Sequence, residues 1–482
     1  MAGPTLKKIV EHSKTSKAET NDTTDYFFPP LPNYARLSDK LLAQAETAGV
    51  WLKEYKKFAS KASPMTAPEY HEILGLTLTA TAIARRVSLK VSTDKFYPNL
   101  YSLIVGSSGD SKSGGIKLAR KMGRMAGLTP FELPAYMSPQ GLLQELIGRN
   151  LENTTSLNDE ELAYLKTKRK FSAQRVLLLD ESSALFEWFG QDNMQGIKSL
   201  VLRLYDNPDR EDESTVGRGA GVARNCYFNI CGVSTKAELD PFFKKKSYWA
   251  NGIWARFIFV TPSWKQPPYI FFPPAMEIPN DIPGALKTLA FTRLPQPDDN
   301  KPAKEITVSL GNGVFELWQA YDKATRHDFV IDDNLSHRYK SNYKRLPAML
   351  IKTAILLSTL DWIESKRAAP VLEKNHFAHA YLLTEQWRES LHRMLEVPNK
   401  DGQEDSLETK ALRHIPAFGS NFVITPRELS QKLNLSGVDE RQILDRLIQQ
   451  MEKDKLIVWR TVKHIGKDGK EYSRTGLVRS QA

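Results

Sequence analysis

The chain has 482 residues, of which 41% are hydrophobic and 26% are charged, and its formal net charge at pH 7 is +11. These values describe a soluble globular protein of about two to four domains, and the lack of a long apolar run excludes membrane-spanning helices. Two cysteines, Cys226 and Cys231, are too few for a disulfide framework or a structural zinc site. The excess of basic residues favours a polyanionic partner.

The N-terminal part of the chain divides into a polar segment and a helical segment. Residues 1–25 are polar and of mixed charge, which predicts a disordered tail without a signal peptide and hence a cytoplasmic protein. Pro29, Pro30 and Pro32 mark an extended lead-in, and apolar residues then recur at helical spacing over 37–60 and 67–89. We therefore predict a helical N-terminal collar over 26–100.

An apolar strand at 101–105 runs into a loop of small residues that ends on a lysine and a serine. Such a loop binds phosphates, because its glycines let backbone N–H groups face the anion, its lysine reaches the β- and γ-phosphates and its serine binds Mg²⁺. Apolar spacing over 114–125 predicts a helix whose N-terminus carries the phosphates. The expected ATP contacts are Gly106, Ser108, Gly109, Asp110, Ser111, Lys112 and Ser113.

One position departs from the usual loop pattern, which has glycine immediately before the lysine. Ser111 stands there, and its side chain carries a steric cost if the backbone needs a positive φ. The alternative interpretation of the loop is a glycine-serine turn before a helix, with no ligand.

A second motif follows at 176–181, where a continuous apolar run ends in Asp180 and Glu181. Such a run is typical of a strand buried on both faces of a parallel sheet, which delivers its acids to the carboxyl edge. Asp180 is then expected to hold Mg²⁺, directly or through water, and Glu181 to polarise the water that attacks the γ-phosphate. The alternative is that Asp180 caps a helix. Residues 151–172 lack apolar periodicity and predict an inserted loop.

Two further strands are predicted, at 225–233 and around 258–260. The first leads into Ser234, which we expect beside the two acids as a catalytic group that senses the γ-phosphate or holds the water; Thr235 and Asn229 are alternatives, as is a simple helix cap. Arg256 interrupts the apolar approach to the second strand. It is expected to be an arginine finger that reaches a neighbouring subunit's nucleotide, the alternative being an ion pair with an acid.

These motifs, in this order, resemble an AAA+ or RecA-like motor core, and Ala255-Arg256-Phe257 is similar to the Ser-Arg-Phe finger element of minichromosome-maintenance helicases. Residues 64–395 resemble more closely the P-loop ATPases of phages, prophages and plasmids, whose loop tolerates a residue other than glycine before the lysine. The resemblance implies an ATP- and Mg²⁺-dependent enzyme, a homo-oligomer in the form of a hexameric ring, and a primase or initiator as a possible partner.

The expected fold class is therefore α/β, with a P-loop NTPase core at 101–264. Six prolines between Lys265 and Pro283 exclude regular helix there and predict a linker. Helical spacing over 314–328, 343–366 and 373–395 predicts a lid, so that linker and lid together span 265–398. Lys344 and Arg345 are either solvent-facing charges or a second nucleotide sensor. A polar, acidic break over 399–405 marks a boundary.

The last segment, 406–482, is predicted to be a winged-helix domain. Helices are expected at 406–415, 425–433 and 443–451, the second opened by a capping box with proline, and a hairpin at 456–465 and 471–478. The third helix is nearly charge-balanced and the hairpin is basic. We expect the hairpin to contact the DNA backbone, the alternative being a module that docks protein.

Basic residues in three places are candidates for nucleic-acid contact. One is a glycine-rich basic loop at 215–224, another is a lysine run followed by Tyr248 and Trp249, whose rings could stack on bases, and the third is the wing hairpin. The alternatives are a solvated turn and a solvated charge run beside buried aromatic rings. The candidates are Arg218, Arg224, Lys244, Lys245, Lys246, Arg460, Lys463 and Lys467.

The leading functional hypothesis is an ATP-hydrolysing DNA motor of a mobile element, a replicative helicase that acts as an oligomeric ring on single-stranded or forked DNA. The runner-up is an ATP-switched DNA-binding regulator or loader that does not translocate. Both share the nucleotide site, so the motifs do not separate them. Because Lys112, Ser113, Asp180 and Glu181 are all present, we discount a degenerate ATPase that lacks hydrolysis.

Overall fold

The structure is a computed structural model that describes residues 28–480 with gaps at 136, 149–157, 191–194, 216–218, 264–274, 299–301, 333–334, 397–410, 413, 417–421, 434, 436–437, 454–455 and 466–470. The chain divides into two compact units, Met1–Val397 and Pro398–Ala482. The predicted break over 399–405 lies at this division, outside the described residues.

The first unit mixes helices and strands along its whole length. Its helices are α1 (Asp39–Gln44), α2 (Val50–Ala62), α3 (Pro68–Ile83), α4 (Lys112–Met125), α5 (Pro139–Ile147), α6 (Asp159–Lys170), α7 (Ser183–Trp188), α8 (Gln195–Tyr205), α9 (Lys236–Phe243), α10 (Lys246–Ala250), α11 (Ile253–Arg256), α12 (Asp281–Thr288), α13 (Val314–Asp322), α14 (Phe329–Ile331), α15 (His337–Tyr343), α16 (Leu346–Trp362) and α17 (Lys374–Glu396). Its strands are β1 (Val87–Val91), β2 (Asp94–Phe96), β3 (Tyr101–Val105), β4 (Gln174–Leu179), β5 (Arg210–Thr215), β6 (Gly219–Arg224), β7 (Tyr227–Ser234), β8 (Ile258–Val260), β9 (Ile306–Leu310) and β10 (Val371–Leu372). Short 3₁₀ turns (Asn33–Ala35, Ala45–Thr47, Thr129–Phe131) and π-helical turns (Leu289–Arg293, Lys323–Asp328) join them.

The central sheet is parallel and has the order β4, β7, β3, β8. A parallel bridge between Glu132 and Val176 extends it beyond β4. All residues of β3, β7 and β8 are buried, as continuous apolar runs predict for strands covered on both faces. The carboxyl ends of β3, β7 and β4 therefore meet at one edge, with β7 in the middle. The predicted α/β class is confirmed.

Helix α3 lies in the core of the unit, against the central sheet, rather than around it as a collar. Nearly every residue of α3 is buried, and Thr77, Thr79 and Thr81 donate their hydroxyls to carbonyls one turn earlier in the same helix. Helix α16 is buried in the same all-round manner. One hydrophobic core runs from Leu31 to Met394, so the regions predicted as collar, core and lid share it.

A second sheet corrects the prediction of helix over 67–89. Helix α3 ends at Ile83, the next two residues have positive φ, and Val87–Val91 form β1. The sheet has the order β10, β9, β1, β2, in which β1 pairs in parallel with β9. The predicted N-terminal collar and the predicted linker-and-lid region therefore each contribute strands to this sheet. The pairing of two segments so far apart in the chain cannot be predicted from a local sequence pattern.

Two predictions of irregular structure are also wrong. Part of 151–172 forms α6, opened by a capping box in which Asn158 and Glu161 each accept the other's backbone N–H. Most of 215–224 is strand, because β6 pairs antiparallel with β5. The predicted linker lies outside the described residues at 264–274 and is irregular at 275–280. It ends in the first turn of α12, where the missing N–H of Pro283 has no partner within the helix in any case.

The second unit contains helices and a hairpin. Its elements are α18 (Pro426–Lys432), α19 (Val438–Lys453), β11 (Ile457–Ile465) and β12 (Glu471–Arg479). Thr425 caps α18 through the expected capping box with Glu428, and β11 pairs antiparallel with β12. Ile424 adds an antiparallel bridge to Leu477. The unit has its own hydrophobic core, formed by Ala411, Ile415, Ile424, Leu429, Leu444, Ile448, Met451, Ile457 and Leu477.

Candidate functional site

The loop between β3 and α4 folds back on itself through two left-handed residues. Gly109 has φ +99°, and Ser111 has φ +48°, so the steric cost anticipated for Ser111 is present. Gly106 is closely approached by two side chains, since a Cβ there would lie 2.3 Å from Tyr70 Oη and 2.5 Å from Asp110 Oδ2 and both would have to shift. Asp110 Oδ2 accepts the Ser107 N–H at 2.6 Å. The loop of residues 106–111 is thus narrow, and we call it the cradle.

Lys112 occupies the cradle. Its Nζ donates to the carbonyl of Gly106 at 3.0 Å and to that of Ser107, and the side chain is buried. Burial lowers the pKa of Lys112, and the charges of Asp110 and Glu238 oppose that shift. Charged phosphate oxygens are stronger hydrogen-bond acceptors for an ammonium group than the two neutral carbonyls that hold Lys112 here. Ser113 is exposed on the first turn of α4.

The two acids follow β4 at the same edge of the sheet. Arg120 of α4 donates to both carboxylate oxygens of Asp180 at 3.0 Å, to Glu132 Oε1 at 2.7 Å and to the Leu178 carbonyl at 2.9 Å. Partial burial lowers the pKa of Arg120, but its bonds and charges with Glu132 and Asp180 outweigh burial and raise it. Asp180 does not cap a helix, because α7 begins at Ser183 with another residue at its cap position.

Glu181 is exposed, and its Oε1 lies 3.4 Å from Ser183 Oγ. The turn that carries it is pressed against β7: Ser182 N–H donates to the Val233 carbonyl at 2.8 Å. A Cβ on Gly232 would lie 2.6 Å from Ser182 Cβ, so glycine is needed there. This contact fixes the position of Glu181 relative to the end of β7.

Ser234 ends β7, the strand that lies between β4 and β3 in the sheet, and is buried. Its hydroxyl donates to Glu238 Oε2 at 2.7 Å, while Thr235 caps α9 in a capping box with Glu238. Burial raises the pKa of the Glu238 carboxyl, but hydrogen bonds from Thr235 and Ser234 and the charge of Lys112 outweigh burial and lower it. Asn229 lies earlier in β7 and accepts the Leu100 N–H at 3.0 Å, away from this edge.

Sequence reasoning missed four residues that shape the site: Thr66, Tyr70, Arg120 and Glu238. Tyr70 donates to the Val105 carbonyl at 3.0 Å, just before the loop, and Thr66 donates to the Ser111 carbonyl at 2.8 Å. Only Glu238 carried a local signal, because Thr-x-x-Glu at 235–238 is a capping-box pattern. The others act through contacts between segments distant in sequence.

Arg256 lies at the opposite edge of the sheet, just before β8. It donates to Asp206 at 3.1 Å and to the Gly252 carbonyl at 3.2 Å, so the alternative of an intrachain ion pair is what the structure contains. Its side chain is 14% exposed, and its Nε is buried without a hydrogen-bond partner in the described part of the chain. The phosphate loop of the same chain begins beyond the five residues of β3, about 16 Å away at the usual rise per residue.

Two other cations, Arg345 and Lys352, lie close to Arg256, and all three face the ring of Tyr205. Arg345 lies 3.7 Å from Asp206, so it is not simply a solvent-facing charge. Lys352 is buried, donates to Asn99 Oδ1 at 2.6 Å and lies 4.1 Å from the centre of the Tyr205 ring. Burial lowers the pKa of Lys352 to about 7, with repulsion from Arg345 and Arg256 adding to it and Asp206 opposing it.

Of the five residues in the first unit that are candidates for nucleic-acid contact, four are exposed and one lies outside the described residues. Lys244, Lys245 and Lys246 are exposed, as is Arg224 at the end of β6, whereas Arg218 lies outside the described residues. The aromatic rings beside the lysines are buried: Tyr248 donates to the Phe186 carbonyl and Trp249 to the Phe243 carbonyl, each at 2.9 Å. The prediction that these two rings stack on bases is therefore wrong.

In the second unit, Arg460 and Lys463 lie on β11, and Lys467 lies outside the described residues. Lys463 is exposed and forms an ion pair with Glu471 across the hairpin at 3.3 Å. The hairpin also exposes two large aromatic side chains, Trp459 and Tyr472, each 46% exposed. Sequence reasoning did not single these out, although rings on a basic surface are suited to stacking on bases.

No protein-family model and no curated protein matches this chain. Within the described part of the chain, no helix combines the length and apolar character needed to cross a bilayer. Among the same residues, no group of three or more histidine, cysteine, aspartate or glutamate side chains could hold a metal ion.

Proposed function

We propose that this chain is a Mg²⁺-dependent ATPase with a P-loop NTPase fold, and that it acts as a motor on DNA. The observation that carries the proposal is the position of Lys112, buried in a glycine-containing cradle between a parallel strand and a helix N-terminus. Asp180 and Glu181 follow a strand of the same sheet and reach the same edge. Strand, loop and helix in this order are the arrangement that holds the phosphates of a nucleotide.

Each residue of the site has a proposed role. Lys112 binds the β- and γ-phosphates in place of the loop carbonyls that it now contacts. Ser113 and Asp180 would hold Mg²⁺, since a hydroxyl and a carboxylate offer the oxygen ligands that this ion prefers. Because Arg120 binds both oxygens of Asp180, we propose that Asp180 acts on the ion through water. A bound Mg²⁺ neutralises charge on the phosphates.

Glu181 is the proposed base, because it is exposed while Glu238 is committed to the cap of α9. It accepts the proton of the attacking water as the water oxygen bonds to the γ-phosphorus and the bond from that phosphorus to the β-phosphate oxygen breaks. ADP and inorganic phosphate result. The Ser234 and Glu238 pair lies between Lys112 and the acids, where it could respond to loss of the γ-phosphate.

The proposed polymer is DNA, and the proposed assembly is a hexameric ring. The net charge of +11, the exposed lysines at 244–246 and the exposed aromatic rings on the basic hairpin support a nucleic-acid partner. We assign the second unit as a winged helix that contacts the DNA backbone. A primase or initiator remains a proposed partner.

One observation favours the runner-up, an ATP-switched regulator or loader. Arg256 is engaged by Asp206 of its own chain and is mostly buried, which suits a structural ion pair better than a group free to reach a neighbour. A chain without such a finger could still bind ATP and assemble on DNA without translocating.

Strand displacement separates the two functions. With ATP and Mg²⁺ the motor separates a forked duplex directionally, and the Glu181→Gln variant does not. The regulator would bind the same fork and hydrolyse ATP slowly without displacing a strand. A gel assay with one labelled strand, with a non-hydrolysable ATP analogue as control, measures the difference.

Arg256 gives a prediction that separates a finger from an ion pair. If Arg256 is a finger, Arg256→Ala should leave ATP affinity nearly intact and lower hydrolysis about 10³-fold, because the cation acts only as charge develops on the leaving γ-phosphoryl group. If Arg256 serves only its ion pair, hydrolysis by the folded variant should equal that of the parent. Asp206→Asn is the comparison variant, since it removes the acid that pairs with Arg256 and Arg345 and keeps both arginines. Steady-state phosphate release measures both.

Mixing variants tests whether Arg256 acts between subunits. A Glu181→Gln subunit retains Arg256, so it should restore part of the activity of an Arg256→Ala neighbour in the same ring. If mixing recovers nothing and the variants Arg256→Ala and Asp206→Asn both lose stability, Arg256 serves only its ion pair and the runner-up is favoured.

A further inference from the structure

Ser111 is held in a backbone conformation that residues with a Cβ rarely adopt, with φ +48° and ψ +28°. Its side chain makes no capping hydrogen bond to α4 that would favour this conformation. Its carbonyl, however, accepts two hydrogen bonds, one from the Gly114 N–H at 3.0 Å and one from Thr66 Oγ1 at 2.8 Å. The first lies within the start of α4, while the second comes from a different part of the chain.

Thr66 belongs to the turn that joins α2 to α3, which packs directly on the phosphate loop. Thr66 is 1% exposed, and its Oγ1 lies 2.8 Å from Ser63 Oγ, so its hydroxyl orientation is fixed from both sides. A Cβ on Gly114 would lie 3.1 Å from Ser63 Oγ, and one on Gly115 would lie 3.1 Å from Thr66 Cγ2. The turn therefore fits closely against the first turn of α4.

We propose that Thr66 is a positioning residue for the nucleotide site, which holds Ser111 in the left-handed conformation so that Lys112 and the loop amides stay arranged for phosphates. This inference rests on the proposed function for its effect on ATP. Its physical basis does not depend on ATP. Serine disfavours the left-handed conformation that glycine would adopt freely at position 111, and the hydrogen bond from Thr66 offsets that conformational cost.

The test is a double-mutant cycle on the full chain, with the dissociation constant of Mg-ATP as the readout. Thr66→Val keeps the volume and removes the donor, and should weaken binding about tenfold, the usual value of one hydrogen bond. Thr66→Ser should restore wild-type affinity. In the Ser111→Gly background the backbone adopts the conformation unaided, so Thr66→Val should cost less than about threefold.

Thr77→Val is the matched control, because it also removes a buried threonine hydroxyl, one that donates to the Ile73 carbonyl in α3 and does not contact the loop. It should leave ATP affinity unchanged. An equal loss from Thr66→Val with Ser111 or with Gly at that position would overturn the inference, because Thr66 would then act independently of Ser111. An unchanged affinity in Thr66→Val would overturn it as well.

Hydrogen exchange in the nucleotide-free protein separates this inference from the proposed function. Thr66→Val should speed amide exchange in the peptide covering 106–115 about tenfold, and Thr66→Ser and Thr77→Val should not. If the parent binds no ATP but this exchange pattern holds, the proposed function fails and the positioning role stands. If exchange in the peptide is the same in Thr66→Val as in the parent, the positioning role is wrong whatever the protein binds.

Discussion

Replacing Lys112 by alanine is expected to weaken binding of Mg-ATP about 100-fold or more. Hydrogen bonds to charged groups are worth about 1.5–3 kcal/mol each, and the ammonium group is the main side-chain charge that the loop offers to the β- and γ-phosphates. The fold should persist, because the hydrogen bonds of Lys112 within the described part of the chain go to carbonyls of its own loop. Calorimetric titration measures the affinity, and circular dichroism verifies the fold.

Lys117→Ala is the control for this variant. Lys117 lies on the same helix, α4, and is exposed, so its removal lowers the positive charge equally without touching the loop. Its affinity for ATP should equal that of the parent. Parent-like affinity in Lys112→Ala would show that the loop does not bind the phosphates, and the nucleotide site would have to be sought elsewhere.

Replacing Glu181 by glutamine should leave ATP binding intact and lower hydrolysis about 10²- to 10⁴-fold, the range expected when a general base is removed. The amide has nearly the shape of the carboxylate but accepts no proton from water. Because Glu181 is exposed and its hydrogen bond among the described residues is a long one, 3.4 Å from Ser183 Oγ, the change should not affect stability. Single-turnover phosphate release with ATP already bound isolates the chemical step.

Two further glutamates serve as comparisons. Glu187→Gln, at an exposed position of α7, should hydrolyse ATP at the parental rate. Glu238→Gln should lose stability through its cap on α9. If Glu181→Gln hydrolyses ATP at the parental rate while Glu238→Gln is folded but does not hydrolyse ATP, the general base is Glu238.

The parts of the site that sequence reasoning predicted are those encoded by short, contiguous patterns. The strands before Gly106 and Asp180 are continuous apolar runs, and the structure has them as buried neighbours of β7 in a parallel sheet. Ser234 was expected near the acids because it follows such a run, and it lies at the shared edge. Even the positive φ of Ser111 could be anticipated, since glycine is usual there.

The parts that were missed depend on contacts between segments far apart in the sequence. Arg120 binds Asp180 although sixty positions separate them, and neither residue's neighbourhood indicates the other. The pairing of β1 with β9 spans a still longer interval, so the second sheet was not predicted. Helix α6 was missed for a different reason. The capping-box residues Asn158 and Glu161 are a local signal for its start, but the helix that follows is strongly charged and lacks the apolar periodicity that predicts a helix.

The measurement that tests the central claim most directly is the release of inorganic phosphate from ATP by the purified full chain, beside Lys112→Ala prepared in the same way. The proposed function predicts release that requires Mg²⁺, stops when the ion is chelated, rises when forked DNA is added and is absent from Lys112→Ala. Equal release by the parent and Lys112→Ala, or none from a folded parent with Mg²⁺ and DNA present, would contradict the assignment of this loop as the site of ATP hydrolysis.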